Sequence, residues 1–243
     1  MTWPEVETCL DRGACALLPM GSTEQHGPMG LVGTDAICAA EVARRAGEIC
    51  DAIVVPELAY TPAPFNTGFP GTLSIPADLT RDLVHEICAG LLSQGFKGVF
   101  IVNGHGANLE PVAQARARLP DGSVEVQSWW APAEVMALRD ARFGEWEGMH
   151  ATPSEVAITQ TLLGCKPPGA AATPPQKLSA DYIKAHGGDR HGPPDAHRAA
   201  FPDGRVGSHS ALATPEIGAE LLETASAAIA RAFQSFCKSR GAG

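Results

Sequence analysis

Short unbroken apolar runs of strand length alternate with helix-length segments along the first half of the chain, and this alternation narrows the fold more than any other feature. Residues 14–19 (ACALLP), 52–56, 98–103 (GVFIVN) and 124–130 read as strands. Residues 34–49, 76–94 and 108–119 carry helical patterns between them, the first opening at Thr34 or Asp35. Continuous apolar strands are covered on both faces, as in parallel sheets wound through βαβ crossovers. The expectation is an α/β protein, a three-layer α/β/α arrangement around a mainly parallel sheet. A chain of 243 residues buries enough surface for one domain over residues 1–243, and no repeat or low-complexity linker divides it. Further on, residues 156–163 read as a helix, 167–215 as a long irregular stretch rich in Pro, Gly and His, and 215–236 as an amphipathic helix.

Charge removes one class of partner. Eighteen Lys and Arg stand against 27 Asp and Glu, a net charge of −9, whereas phosphate-backbone binders gather basic residues to displace counterions. Nucleic acid is therefore not expected. No signal-peptide pattern opens the sequence and no run nears the roughly 20 apolar residues that span a bilayer, so a cytoplasmic protein without membrane contact is expected. Cys9, Cys15, Cys38, Cys50, Cys88, Cys165 and Cys237 form no CxxC pair and read as small buried side chains in a reducing compartment.

The polar turns after the strands carry the chemistry. Gly21-Ser22-Thr23-Glu24-Gln25-His26-Gly27-Pro28, then Thr34-Asp35, directly follow the first strand. Two carboxylates and an imidazole there suit a divalent metal, although Glu24 and Asp35 could equally cap a helix. Asn103-Gly104-His105-Gly106-Ala107-Asn108 ends the clearest strand, and its glycines permit close approach of a ligand. Strand ends of this kind are where open parallel sheets place their sites. The third feature is Trp146 through His150-Ala151-Thr152-Pro153-Ser154-Glu155. Glu155 in a first helical turn suits the helix dipole, whereas His150 can supply the proton that a leaving amide nitrogen requires. His186, His191, His197 and His209 lack motif-like intervals and are expected to face solvent; Phe65, Phe69 and Leu73, in a Pro/Gly-rich loop, are expected to pack.

GSTEQHGP with its downstream TD, NGHGAN and HATPSE, in this order and over residues 17–158, resemble the motifs of the creatininase superfamily, the creatinine amidohydrolases and their relatives. The resemblance implies a creatininase-like fold and one or two divalent ions, zinc, manganese or iron. Glu24, Asp35 and His105 would hold one ion, His26 and Asp35 a second, with Asp35 bridging. It implies an amidohydrolase in which metal-activated water attacks the carbonyl of a small amide, cyclic amide or formamide. His150 would be the catalytic histidine, Trp146 a substrate-covering residue, and Glu155 either the group that orients His150 or a ligand. It also implies a homo-oligomer, often a hexamer.

Two departures bear on these expectations. Creatininase proper has a metal-binding Glu two positions after the strand-end His, and here that position is Ala107. Either Glu155 substitutes, or one ion alone binds tightly. Residues 27–33 depart from the usual family pattern, which points to an altered substrate pocket. Because the family also includes deformylases of flavin precursors, peptidases of the mycofactocin pathway and hydrolases of cyclic sugars, peptide and cyclic-sugar substrates stay open. So do a nucleophilic enzyme using a cysteine or Ser22, and a non-catalytic relative with a degraded second metal site.

Overall fold

The structure, a computed structural model, describes residues 1–164, 171 and 173–242. Strands β1 (Ala16–Met20), β2 (Ile53–Val54), β3 (Val99–Asn103) and β4 (Val124–Ser128) form one parallel sheet in the order β2-β1-β3-β4. Ala16 lies opposite Val99 and Met20 opposite Asn103, while Asn103 lies opposite Ser128, so three strands end together.

The pleat sends successive side chains to opposite faces, and both faces are covered. Leu17, Phe100 and Val102 enter one core with α2 (Thr34–Cys50), α5 (Ala133–Phe143), α6 (Pro153–Leu163) and α9 (Pro215–Ser239). Leu18, Met20, Val99 and Ile101 enter the other with α3 (Ala77–Ser93) and α4 (Leu109–Arg116). The expected three-layer α/β/α architecture is what the chain forms. α1 (Trp3–Asp11) closes the flank over Ala16 and Ile53.

The differences from expectation have local causes. α1 and α5 were not anticipated: α1 is only nine residues long, with Trp3 75% exposed, and its one clear signal is the box of Thr2 and Glu5 around Pro4. β2 shrinks to two residues because it is an edge strand paired with β1 alone. The 167–215 stretch is not irregular throughout: α7 (Ala180–Ala185) and α8 (Pro194–Ala200) lie in it, each too short to show a helical period.

Its histidines do not face solvent. His197 and His209 are buried and His186 and His191 partly so, because their rings pack on aromatic neighbours. His186 stacks on Tyr182 at 3.8 Å, His191 and His197 lie 4.7 and 5.1 Å from Phe65, and His209 meets Trp146 edge-on at 5.6 Å. Phe65 is buried as expected, whereas Leu73 is 54% exposed. The six described cysteines are free thiols; Cys165 lies outside the described residues. No described helix is long and apolar enough to cross a membrane.

Phe100, fully buried and edge-on to Phe233 and Phe236 at 6.0 and 5.8 Å, joins the sheet to α9. Phe100→Ala is expected to lower unfolding free energy by about 3–5 kcal/mol, read from urea denaturation.

Candidate metal centre

The shared end of the strands presents the site. Glu24 and His26 follow β1 on a loop pinned by backbone pairing of Thr23 with Leu73. Asp35 comes from the first turn of α2. A side chain at Gly104 would stand 2.3 Å from the Asp35 carbonyl, so glycine there is what lets α2 settle onto the end of β3. His105 is clamped by Asn103, whose side chain accepts from the His105 N–H at 3.2 Å and donates to its carbonyl at 2.8 Å.

His150 and Glu155 arrive on one turn. Residues 149–150 pair with Val206, and the fully buried Ala151 takes φ +56°, a left-handed conformation rare for a residue with a Cβ. The chain thereby reverses into Thr152, the N-cap of α6. Glu155 completes a capping box there, accepting from the Thr152 N–H through Oε2 at 3.0 Å. The carboxylate that caps the helix also lies beside the site, its Oε2 4.0 Å from His26 Nε2.

Each imidazole is fixed from behind. His105 Nε2 donates to the Pro62 carbonyl at 2.7 Å, which leaves the Nδ1 lone pair facing inward. His26 Nδ1 lies 3.0 Å from the Glu24 carbonyl and donates to it, which turns Nε2 inward. Between them Asp35 gives one oxygen to each ring, Oδ1 at 2.9 Å from His26 Nε2 and Oδ2 at 2.9 Å from His105 Nδ1; Ser22 also donates to Oδ2 at 3.0 Å. Glu24 Oε1 lies 3.0 Å from His105 Nδ1, while its Oε2 accepts from Asn66 at 2.9 Å. The 4.0 Å between Glu155 Oε2 and His26 Nε2 brings a third carboxylate to the second ring.

The donor atoms form overlapping close clusters: Glu24, Asp35 and His105; His26, Asp35 and Glu155; and Glu24, His26 and His150. Burial disfavours the charged form of every group, and mutual attraction overrides it for some. Asp35 and Glu24 are held below the ordinary carboxylate range by the imidazoles, against burial. Burial would lower His26, but Asp35 raises it to about 10. Glu155, with less compensation, is pushed up by burial to about 7. Glu24 Oε1 is a buried carboxylate oxygen with no hydrogen-bond partner. An orphaned oxygen, a carboxylate shared between two imidazoles and lone pairs directed inward all fit a divalent cation.

His150 behaves differently. Its Nε2 lies 2.7 Å from the Gln25 carbonyl, a separation that puts the proton on Nε2. Burial outweighs the pull of Glu24 and lowers the ring to about 3, so His150 is neutral with Nδ1 3.8 Å from Glu24 Oε1. Gln25 and Asn66 surround it: Gln25 Nε2 donates to Asn66 Oδ1 at 2.8 Å and to the Gly204 carbonyl at 3.0 Å.

The structure thus brings Glu24, Asp35, His105, His150 and Glu155 together at a cavity of about 190 Å³, with His26 behind its wall and joined to it through Asp35. Trp130, Arg139 and Asp189 also line it, and none was anticipated. Asn66 and Gln25 were missed as well; the Gln inside TEQH was the available signal. Trp146 lies outside that lining, with Lys177 Nζ 4.6 Å above its ring.

The mycofactocin precursor peptide peptidase of Mycolicibacterium smegmatis is 35% identical over 167 residues, 65% of this chain and 66% of that protein. The creatinine amidohydrolase of Pseudomonas putida is 28% identical over 181 residues, 67% of this chain and 70% of that protein. The chain thus spans about two thirds of the length of these relatives. Among solved structures, a creatinine amidohydrolase (creatininase) superposes with a TM-score of 0.75 at 23% identity, covering 97% of this chain and 96% of that one. A Zn–Zn form of a creatininase variant gives 0.76 at 22% identity, covering 97% and 95%. The creatininase family, described as creatinine amidohydrolase, matches residues 1–233, and the chain belongs to it.

Proposed function

We propose that the chain is a metal-dependent amidohydrolase that opens the C–N bond of a small amide, cyclic amide or formamide. Glu24, Asp35 and His105 hold one divalent ion, and His26, Asp35 and Glu155 a second. The observation that carries this reading is Asp35, whose two oxygens each lie 2.9 Å from a different imidazole. Glu155 then fills the place that Ala107 leaves short, since its carboxylate clusters with His26 and Asp35.

A divalent ion supplies acidified water and a polarised carbonyl. The protein's own groups do the rest. Neutral His150, proton on Nε2 and lone pair on Nδ1, takes up a proton on the cavity side and returns it to the leaving nitrogen. The Gln25 carbonyl fixes the ring's position, and Asn66 orients Glu24. A cavity of about 190 Å³ limits what enters to a small molecule or the end of a longer one. Trp146, two residues before the lining residue Gly148, covers substrate from the outer side.

A peptide terminus is the second reading, favoured by the 35% identity to a peptide peptidase against 28% to the creatinine amidohydrolase. A nucleophilic hydrolase has less support. Cys9, Cys15, Cys50 and Cys237 line a separate cavity of about 430 Å³ that no histidine borders, and Ser22 is spent on Asp35. The same proposal takes residues 1–243 as one domain working in the cytoplasm, where the free thiols of the described cysteines stay reduced.

Chelator treatment is expected to abolish hydrolysis in a screen of creatinine, formamides and short peptides, with Zn2+ or Mn2+ restoring it; activity untouched by complete metal removal would overturn the reading. Elemental analysis of untagged protein is expected to find both ions lost in Asp35→Asn and one retained in Glu155→Gln. His150→Asn is expected to keep its metal and lose about 10²–10⁴ in kcat, measured on the best substrate of that screen. Sedimentation is expected to show a homo-oligomer, with a hexamer as the family-like outcome, rather than a 25.3 kDa monomer.

A further inference from the structure

A carboxylate that the motifs do not supply reaches the metal centre from the far end of the chain. Asp189 sits between α7 and α8, 82 residues beyond Ala107, and only 13% of its side chain is exposed. Its Oδ2 accepts from the Ala107 N–H at 3.0 Å and lies 3.6 Å from His105 Nδ1, the atom that faces Glu24 and Asp35. The neighbouring position must be glycine for this to happen, because a side chain at Gly106 would stand 2.3 Å from that oxygen.

The chain takes on local strain to place it. Asp189 has φ +55°, directly after Gly188 at +74°. The flanks are packed against the site's own wall. His191 and His197 rest on Phe65, which meets the His150 ring edge-on at 6.1 Å, and Arg198 donates to the Gly68 carbonyl. A loop that served only to cover the cavity needs no buried acid pointed at a metal-facing nitrogen. Nor does a buried carboxylate beside Glu24 and Asp35 stabilise the chain by itself, since like charges repel strongly where water is excluded.

We propose that Asp189 is an outer carboxylate of the Glu24–Asp35–His105 ion site, a positioning residue delivered by the 179–201 strap to the backbone of the position where the family's usual carboxylate is missing. This rests on the metal-site reading above. Asp189 stands outside the cluster of mutually close donors, so it acts from the rim: it adds negative charge beside the ion, 3.6 Å from the coordinating edge of His105. Outer carboxylates of this kind change metal affinity without being ligands.

Asp189→Asn isolates the charge, because asparagine tolerates the left-handed backbone and still offers an oxygen to the Ala107 N–H. Chelator competition with Zn2+ is expected to show affinity at the first site reduced by about 10- to 100-fold. The visible absorption of the Co2+-loaded protein is expected to shift, and the melting temperature of metal-stripped protein to stay at or above the wild-type value, because a like-charge repulsion is removed. Asp189→Gly, which also suits the backbone, is expected to weaken metal binding similarly and serves if the first variant folds poorly. Affinity within twofold of wild type and an unchanged Co2+ spectrum in a folded variant would reduce Asp189 to a loop anchor and overturn the proposal. Wild-type protein that binds no divalent ion would instead overturn the underlying reading.

Discussion

Negative charge packed out of reach of water is the constraint around which the molecule is arranged. Glu24 is fully buried and Asp35 nearly so, with Glu155 and Asp189 close behind. Two like charges 4 Å apart repel by about 4 kcal/mol even at an effective dielectric of 20, so such a group requires compensating cations. His26 and His105 turn a nitrogen toward these carboxylates, and their raised proton affinity measures how strongly the centre draws a cation. The Glu24 oxygen left without a hydrogen bond shows that the compensation by side chains is incomplete. His150 is the exception: buried without a carboxylate in hydrogen-bond contact, it stays neutral, the state that the proposed proton transfer requires.

Everything that brings these groups together follows from the parallel sheet. Because β1, β3 and β4 run the same way and end in register, the turns after them share one edge, and α2 starts there too. The alternation of Leu17, Phe100 and Val102 with Leu18, Val99 and Ile101 anchors the strands from both faces, so the ends are rigid where the ligands leave them. The centre's less regular members come from turns held in unfavourable backbone. Ala151 and Asp189 both have positive φ, and both are fixed by hydrogen bonds, Ala151 through Ser210 and Asp189 through Ala107. Strain is concentrated where side chains have to be aimed.

What the sequence disclosed depended on distance along the chain. Glu24, His26 and Asp35 fall within twelve residues, and His105 follows the most apolar strand, so both could be found as compact motifs after strand-like runs. The layers were legible for the same reason, since the long helices and the buried strands carry strong periodic or continuous patterns. Asn66 and Asp189 were not, because each acts on partners 42 and 82 residues away from segments without periodicity. The histidines of the 179–201 strap misled for a physical reason: imidazole looks polar in a sequence yet buries readily once it can stack on Tyr182 or Phe65. In hindsight, two glycines before Asp189 marked a backbone able to turn back sharply.

The departure at Ala107 and the arrival of Asp189 belong to one rearrangement. With methyl and hydrogen at 107 and 106, the turn after β3 is thin, and its N–H at 107 is free to hold a carboxylate from another segment. That carboxylate, entering from a strap that also carries Phe65-packed histidines, narrows the cavity to about 190 Å³ while leaving Trp130 and Arg139 on its wall. The small side chain at position 107 thus leaves room for the acid that lines the cavity. The shape of the cavity wall is therefore set jointly by the turn after β3 and by a segment more than 80 residues downstream, and exchanging one without the other would leave either a clash at Gly106 or an unheld acid.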